Sequence, residues 1–294
     1  MSNYKKWLGY LLFALILTVA LLYYRFPSDA LRDYLQSMAH RANPPLALSV
    51  DSLELSLPIG LKLLETQVAL KDMPDRVLVR ADSLLIRPQV WSLFRGKPVY
   101  RFHCVAYRGD LVGSVYVEKD DTRGFIDTKI DLRNIHVADH AYLSQLVGRH
   151  VEGTLDGTVS YKGQRNPLVD GSGQANLRVS QGRVELLQPF ITLESIDFNV
   201  MEIEVVLKKQ NVNLNRLELK GQQLHGTLSG TITLKQEFAK SRLDLKGTVE
   251  PFAGLFKGPA GTGDTVQFFK QRLKGGAFPV VIQGTVEEPK IEFK

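Results

Sequence analysis

The spacing of apolar residues divides the chain into two parts. Residues 7–24 form an apolar run without a charged residue, about the length that a helix rising ~1.5 Å per residue needs to cross the hydrocarbon of a bilayer. From residue 46 onward apolar and polar residues alternate in short segments, as in 99–107 and 203–207. Such alternation is typical of strands with one dry face and one wet face. The pattern predicts a mainly β protein, with an N-terminal transmembrane helix followed by a β domain over residues 46–294.

The alternating segments are short and are separated by Gly, Asn, Asp and Pro, which favours a meander of antiparallel strands. A few short amphipathic helices interrupt this pattern. One is predicted between residues 25 and 45, where Pro27 and Ser28 provide a start signal. Its apolar positions recur at helical spacing, and they are Leu31, Tyr34, Leu35 and Met38. Two further helices are predicted to begin at Asp139 and Asp264, each covering part of the sheet or its end.

Glycine recurs in the middle of strand-like segments. The stretches "GTLDGTVSY" at 153–161 and "GTLSGTITL" at 226–234 share one arrangement, with glycine at an apolar position of the alternation. The glycines placed in this way are Gly157, Gly230, Gly247 and Gly284. A missing side chain on the concave side lets a strand bend toward it, so the glycines predict a long, curled, groove-like sheet. The alternative is that they mark bulges or turn-proximal positions in an ordinary sandwich.

The N-terminal segment has the features of an uncleaved anchor. Residues 1–6 contain Lys5 and Lys6, and the positive-inside tendency predicts that this tail stays in the cytoplasm. Residues 25–45 then form a juxtamembrane helix and linker. A cleaved signal peptide is the alternative, but cleavage requires small residues after the apolar run, where this chain has bulky ones. Aromatic residues at the two ends suit the membrane interface, and they are Trp7, Tyr10, Tyr23 and Tyr24.

Composition excludes several classes of function. The chain has 294 residues, long enough for one large β domain or two ordinary ones, and 37 basic against 31 acidic residues. This mild excess argues against nucleic-acid binding, which calls for a concentrated basic patch. One cysteine, Cys104, excludes an internal disulfide and a cysteine-based zinc cluster.

Candidate chemical motifs do not assemble a reactive site. The stretch "GPAGTGDT" at 258–265 has the spacing of a phosphate-binding loop, but Asp264 stands where lysine is needed and would repel phosphate. His136 and His140 are four residues apart without the glutamate of a helical zinc motif. Ser172 lies in a turn-like "GSG" and not before a helix. The sequence predicts no catalytic residue, no metal site and no cofactor.

Several segments together carry a family resemblance. They are the N-terminal apolar run with Phe26-Pro27 after it, "LPIGLKL" at 57–63, "PQVWSLFRGKP" at 88–98 and the closing "FPVVIQGTVEEPKIEF" at 278–293. In this order they resemble the type II secretion system protein N family and, more loosely, the AsmA-like proteins of Gram-negative envelopes. The resemblance spans nearly the whole chain.

The resemblance implies a single-pass protein of the bacterial inner membrane whose AsmA-like β domain, residues 46–294, lies in the periplasm. Its expected function is that of an accessory component of type II secretion, with other envelope components as partners. The alternative is a lipid-binding or lipid-transfer groove that holds phospholipid acyl chains. Neither family brings catalytic residues to this chain.

Overall fold

The computed structural model describes residues 2–293 except for 25, 43–45, 58, 72, 119–123, 141–149, 165–169, 191–192, 223, 236 and 252–276. The chain divides into two compact units, Met1–Arg87 and Pro88–Lys294. The chain is mainly β, its first unit combines two helices with four strands, and the strand pairs of both units are antiparallel. The predicted fold class is confirmed to that extent.

Three α-helices and fifteen strands lie in the described part of the chain. The helices are α1 (Ser2–Tyr24), α2 (Ser28–Ala42) and α3 (Val90–Phe94). The strands are β1 (Leu46–Ser49), β2 (Ser52–Ser56), β3 (Gly60–Leu70), β4 (Met73–Pro88), β5 (Val99–Ala106), β6 (Gly109–Val117), β7 (Phe125–His136), β8 (Val151–Gln164), β9 (Ser172–Phe190), β10 (Leu193–Lys208), β11 (Asn211–Gly221), β12 (Leu224–Thr233), β13 (Arg242–Pro251), β14 (Phe278–Thr285) and β15 (Pro289–Phe293). Short 3₁₀ turns occupy Val137–Asp139 and Phe238–Lys240.

Helix α1 contains the apolar run of residues 7–24. Among the described residues, however, no helix combines the length and the apolarity that a bilayer crossing requires. The transmembrane anchor predicted over residues 7–24 is therefore not supported, although the helix itself is present.

The first unit builds a small core between α2 and strands β1–β3. Strands β1 and β2 both pair with β3, and β4 pairs with the other edge of β3. Val50, Leu53 and Leu63 are buried, and Leu31 and Leu35 of α2 pack against them. The predicted helix is thus confirmed, but only half of its apolar stripe faces the core. Tyr34 and Met38, the other two stripe residues, are exposed.

This core predicts a large effect for one substitution in β2. Leu53 is 4% exposed, whereas Leu57, four residues on, is 62% exposed. We expect Leu53→Ala to lower the free energy of unfolding of the first unit by about 2–5 kcal/mol, since it leaves a cavity beneath α2. Leu57→Ala is the matched control and should change it by less than about 0.5 kcal/mol. Urea unfolding followed by circular dichroism measures both, and equal losses would contradict this account of the core.

The second unit contains a curled antiparallel sheet in which each strand from β5 to β15 pairs with the next one along the chain. This order is the predicted meander, and short turns are sufficient to connect it. The helices predicted to begin at Asp139 and Asp264 fall largely or wholly on residues 141–149 and 252–276, outside the described residues.

Candidate functional site

The strand register places apolar residues in unbroken rows on one face of the second unit. One row crosses all eleven strands, and it consists of Phe102, Gly113, Ile130, Val159, Ala175, Val205, Leu214, Gly230, Leu245, Ile282 and Ile291. A second row on the same face runs from β5 to β14, and it consists of Cys104, Leu111, Leu132, Gly157, Leu177, Ile203, Leu217, Leu228, Gly247 and Val280. These two rows define the apolar face. Neither row contains a charged residue.

The opposite face of the same strands is polar. Its matching row also crosses all eleven strands, and it consists of Arg101, Ser114, Lys129, Ser160, Gln174, Val206, Asn213, Thr231, Asp244, Gln283 and Lys290. Val206 is the one apolar member of this row. The row as a whole defines the polar face. Because neighbouring residues of a strand point to opposite sides, the period-two alternation of the sequence becomes two chemically distinct surfaces.

The apolar face is covered only in part. In its first row Leu214 and Leu245 are buried and Ile291 is exposed, while the other eight residues are half-buried. In its second row Val280 is buried and the rest are half-buried. The buried hydrophobic cluster of the described residues lies instead in the first unit. A long apolar surface that keeps part of its area accessible is the feature expected of a binding surface.

Two β-bulges keep the rows continuous. Apolar positions step by three residues between Leu132 and Ile135 and again between Leu214 and Leu217. The strand register shifts at both places, so the extra residue is absorbed and the apolar side chains stay on one face. The sequence interpretation missed these bulges. The sequence does carry a signal for them, because neighbouring apolar positions are three residues apart at each bulge and two residues apart elsewhere in the alternation.

Gly157 and Gly230 lie opposite the residues at which these bulges begin. Gly157 pairs with Leu132, and Gly230 pairs with Leu214. Their φ angles are +154° and +144°, a region that side chains disfavour. A Cβ on Gly230 would lie 2.8 Å from the Cα of Leu245 in the next strand. Both glycines therefore allow a close approach to the backbone of the strand on the other side from the bulge, which is β9 for Gly157 and β13 for Gly230.

The other two predicted glycines differ from each other. A Cβ on Gly247 would lie 2.9 Å from the Cα of Leu228, so this position is also a close backbone approach within the sheet. Gly284 has a φ of +102° and pairs with Pro289 across the turn that joins β14 to β15. Gly284 therefore lies next to a turn, which is the position that the alternative interpretation of the glycines gave. All four glycines share the apolar face in the register, and their role in curling the sheet stays a prediction.

Two polar side chains on this side of the sheet have hydrogen-bond partners within it. The Thr128 hydroxyl donates to the Ser114 carbonyl at 3.0 Å, and the Tyr161 hydroxyl donates to the Gln164 carbonyl at 2.9 Å. Burial, followed by the negative charge of Asp170, raises the pKa of the Tyr161 hydroxyl above its ordinary value. Thr128 and Tyr161 are register neighbours of each other. Their hydrogen bonds to the backbone remove two polar groups that would otherwise interrupt the apolar surface.

An ion-pair network crosses the polar side of strands β9 to β13, centred on Glu218. This carboxylate contacts the guanidinium of Arg216, the Lys220 ammonium at 3.0 Å and the His225 ring at 3.2 Å. Glu202 lies 3.4 Å from Arg216 and joins the network on β10. Hydrogen bonds from Arg216 and then Lys220 hold the pKa of Glu218 at about 2, below its ordinary 4.5.

The lowered pKa of Glu218 predicts a pH-dependent contribution to stability. Because the folded state favours the ionised form, the contribution is complete above about pH 4.5 and is lost as the pH falls toward 2. We expect Glu218→Gln to remove it, so that the variant loses less stability than the wild type across that range. Glu292→Gln, at an exposed position of β15, should retain the wild-type profile. Urea midpoints measured from pH 2 to 6 test this, and identical profiles for Glu218→Gln and the wild type would refute it.

The candidate chemical residues between 136 and 140 lie beside Tyr107 and Arg108, and each has a contact of its own. Asp139 pairs with Arg108, the His136 ring contacts the Asn134 carbonyl at 3.1 Å, and the His140 ring lies against Tyr107. No group of three His, Cys, Asp or Glu side chains suited to a metal occurs within the residues that the structure describes. The phosphate-loop-like stretch at 258–265 lies outside those residues.

Ser172 bonds to the backbone of a neighbouring strand, and the aromatic residues of α1 are exposed. Ser172 begins β9, where its hydroxyl donates to the Lys162 carbonyl at 3.3 Å. The predicted interface residues stand near the two ends of α1 with exposed side chains, and they are Trp7, Tyr10, Tyr23 and Tyr24.

Comparison of the chain with family models, with curated protein sequences and with solved structures gives no match.

Proposed function

We propose that this is a membrane-attached, non-enzymatic binding protein whose second unit holds acyl chains along the apolar face. The observation that carries the proposal is the row of apolar residues that continues through eleven strands without a charge. At ~4.8 Å between neighbouring strands, the row measures about 48 Å along the sheet. Each CH₂ group that moves from water onto this surface stabilises binding by about 0.8 kcal/mol.

The chemistry of the apolar face favours an acyl chain over a peptide. A peptide laid across the rows would bring N–H and C=O groups that need hydrogen-bond partners, and each unpaired group would cost about 1–3 kcal/mol. The rows contain no charged side chain, and Thr128 and Tyr161 beside them already donate to backbone carbonyls. An acyl chain has no such requirement, because its body is wholly apolar.

Helix α1 is the proposed point of membrane attachment. It exposes large apolar side chains around its circumference, among them Leu8, Leu11, Phe13 and Ile16. Exposed apolar surface of this extent is typical of contact with lipid or with another protein. Together with the resemblance, this supports placing the protein at the bacterial inner membrane with the second unit in the periplasm. Protease accessibility in spheroplasts tests whether the second unit lies in the periplasm. Cleavage of the second unit only after lysis would contradict this placement.

A role as an accessory component of type II secretion is the second candidate, and the last strand favours it. Strand β15 pairs with β14, and no other described strand pairs with its outer edge. Lys290, Ile291 and Glu292 are exposed there. A free edge can accept a strand from a partner. A photo-crosslinker at Ile291 should capture an envelope partner in cells, whereas one at Gln174 on the polar face should not; equal capture would exclude edge pairing.

Co-purified lipid is the direct test of acyl-chain binding. We expect native mass spectrometry of the full chain, after exchange into a detergent that differs in mass from phospholipid, to show bound phospholipid. A short-chain lipid should be retained less than a long-chain one, since affinity rises with each buried CH₂ group. Complete absence of bound lipid, or retention independent of chain length, would overturn the proposal.

A further inference from the structure

The loop around α3 holds its apolar side chains outward. The Gln89 N–H donates to the Val99 carbonyl at 2.8 Å and closes the base of the loop. Ser92 is buried, and its hydroxyl donates to the Gln89 carbonyl at 2.6 Å and accepts the Val99 N–H at 2.9 Å. Gly96 continues the turn with a φ of +70°. Because the polar Ser92 takes the inward position, its apolar neighbours are left on the outside.

Those neighbours form an exposed apolar tip. Trp91 is 75% exposed and Phe94 is 81% exposed, and their ring centroids are 6.3 Å apart. Val90 and Leu93 are also exposed. Four adjacent large apolar side chains in water are unfavourable unless they have a partner. The hydrogen bonds at the base of the loop prevent the tip from folding inward to bury them.

Positively charged residues follow this tip in the chain. Arg95 and Lys97 follow α3 directly, and Arg101 is exposed on β5. Residues 83–109 contain no aspartate or glutamate. Within the described part of the chain, these three basic residues make no ion pair. An aromatic tip beside unpaired cations is complementary to a surface that has negatively charged groups on its outside and an apolar layer beneath them.

We propose that the loop of α3 docks on the surface of an anionic lipid bilayer, with Trp91 and Phe94 at the level of the headgroups. Tryptophan is favoured at that depth, and lysine and arginine are attracted by anionic lipid. A protein partner would match the apolar tip equally well, but it would leave the surplus of cations unexplained unless it were acidic. This contact is separate from α1 and does not depend on acyl-chain binding by the apolar face.

The two tryptophans of the chain allow a site-specific test. In the full chain carrying Trp7→Phe, Trp91 is the remaining tryptophan. We expect its emission to shift to shorter wavelength, and to be quenched by lipids brominated near the headgroup, when vesicles of phosphatidylglycerol and phosphatidylcholine are added. Vesicles of phosphatidylcholine alone should give little response. Adding Arg95→Gln and Lys97→Gln should weaken the response to anionic vesicles at least about tenfold.

A matched control separates docking from nearness to the membrane. Phe238 is 55% exposed in a 3₁₀ turn of the same unit. In the chain with Trp7→Phe, Trp91→Phe and Phe238→Trp, emission should not respond to vesicles. Equal quenching at both sites would overturn the proposal, as would no response at Trp91 or an equal response to neutral vesicles. A shift that appears without lipid and grows with protein concentration would instead assign the tip to self-association.

Discussion

Gly230→Ala is expected to destabilise the second unit by about 3 kcal/mol or more, because the new side chain would meet the backbone of β13. A Cβ at this position would lie 2.8 Å from the Cα of Leu245, and backbone cannot move aside as the end of a side chain can. The φ of +144° adds strain for any residue other than glycine. Strands β12 and β13 would have to separate or change register at this point.

Gly226 supplies the control in the same strand. It lies on the same side of β12, but the nearest atoms to a Cβ there are 3.9 Å away, an ordinary contact distance. Gly226→Ala should therefore be neutral or stabilise by about 0.5–1 kcal/mol. Thermal unfolding of both variants, followed by circular dichroism, measures the difference. If the two substitutions have equal effects, close backbone packing is not what requires glycine at position 230.

Val205→Asp is expected to lower the amount of co-purified phospholipid at least tenfold. Val205 lies in the first row of the apolar face, between Ala175 and Leu214. A carboxylate there would lose its water when an acyl chain covers it, and an unpaired charge next to hydrocarbon is strongly unfavourable. Mass spectrometry of the full chain, with lipid counted per protein molecule, measures the loss.

The adjacent Val206 provides the matched variant. It belongs to the polar face, between Gln174 and Asn213, and its side chain is half-buried like that of Val205. Val206→Asp adds the same charge to the same strand but should leave lipid binding unchanged. If Val205→Asp fails to fold, Val205→Thr introduces only a hydroxyl and should give a smaller loss. Equal lipid content in the Val205 and Val206 variants would exclude the apolar face as the binding surface.

The strand content and the chemistry of the two faces could be predicted from the sequence. Period-two alternation has a local cause, since neighbouring side chains of a strand point to opposite sides whatever the strand pairs with. The helix beginning at Ser28 was visible for the same reason, from its apolar spacing and start signal. The sequence also predicted the positions of Gly157, Gly230, Gly247 and Gly284 within the alternation, but not the different settings that separate Gly284 from the others.

In the sequence, the segment that contains Trp91 and Phe94 contributed only to a family resemblance, and its exposure was not predicted. Its four apolar residues interrupted by one serine are compatible with a buried turn as well as with an exposed one. Two hydrogen bonds of the Ser92 hydroxyl decide the orientation, and they join residues whose spatial proximity the sequence does not specify.

The sequence by itself determined that this chain forms amphipathic antiparallel strands with glycine at recurring apolar positions, because those properties depend on neighbouring residues alone. Only the tertiary structure decided that eleven strands align their apolar positions into unbroken rows, that bulges opposite Gly157 and Gly230 keep those rows in phase, and that α2 covers a core in the first unit. Register and coverage depend on contacts between residues far apart in the chain, and one slip of a single residue would turn an apolar face outward.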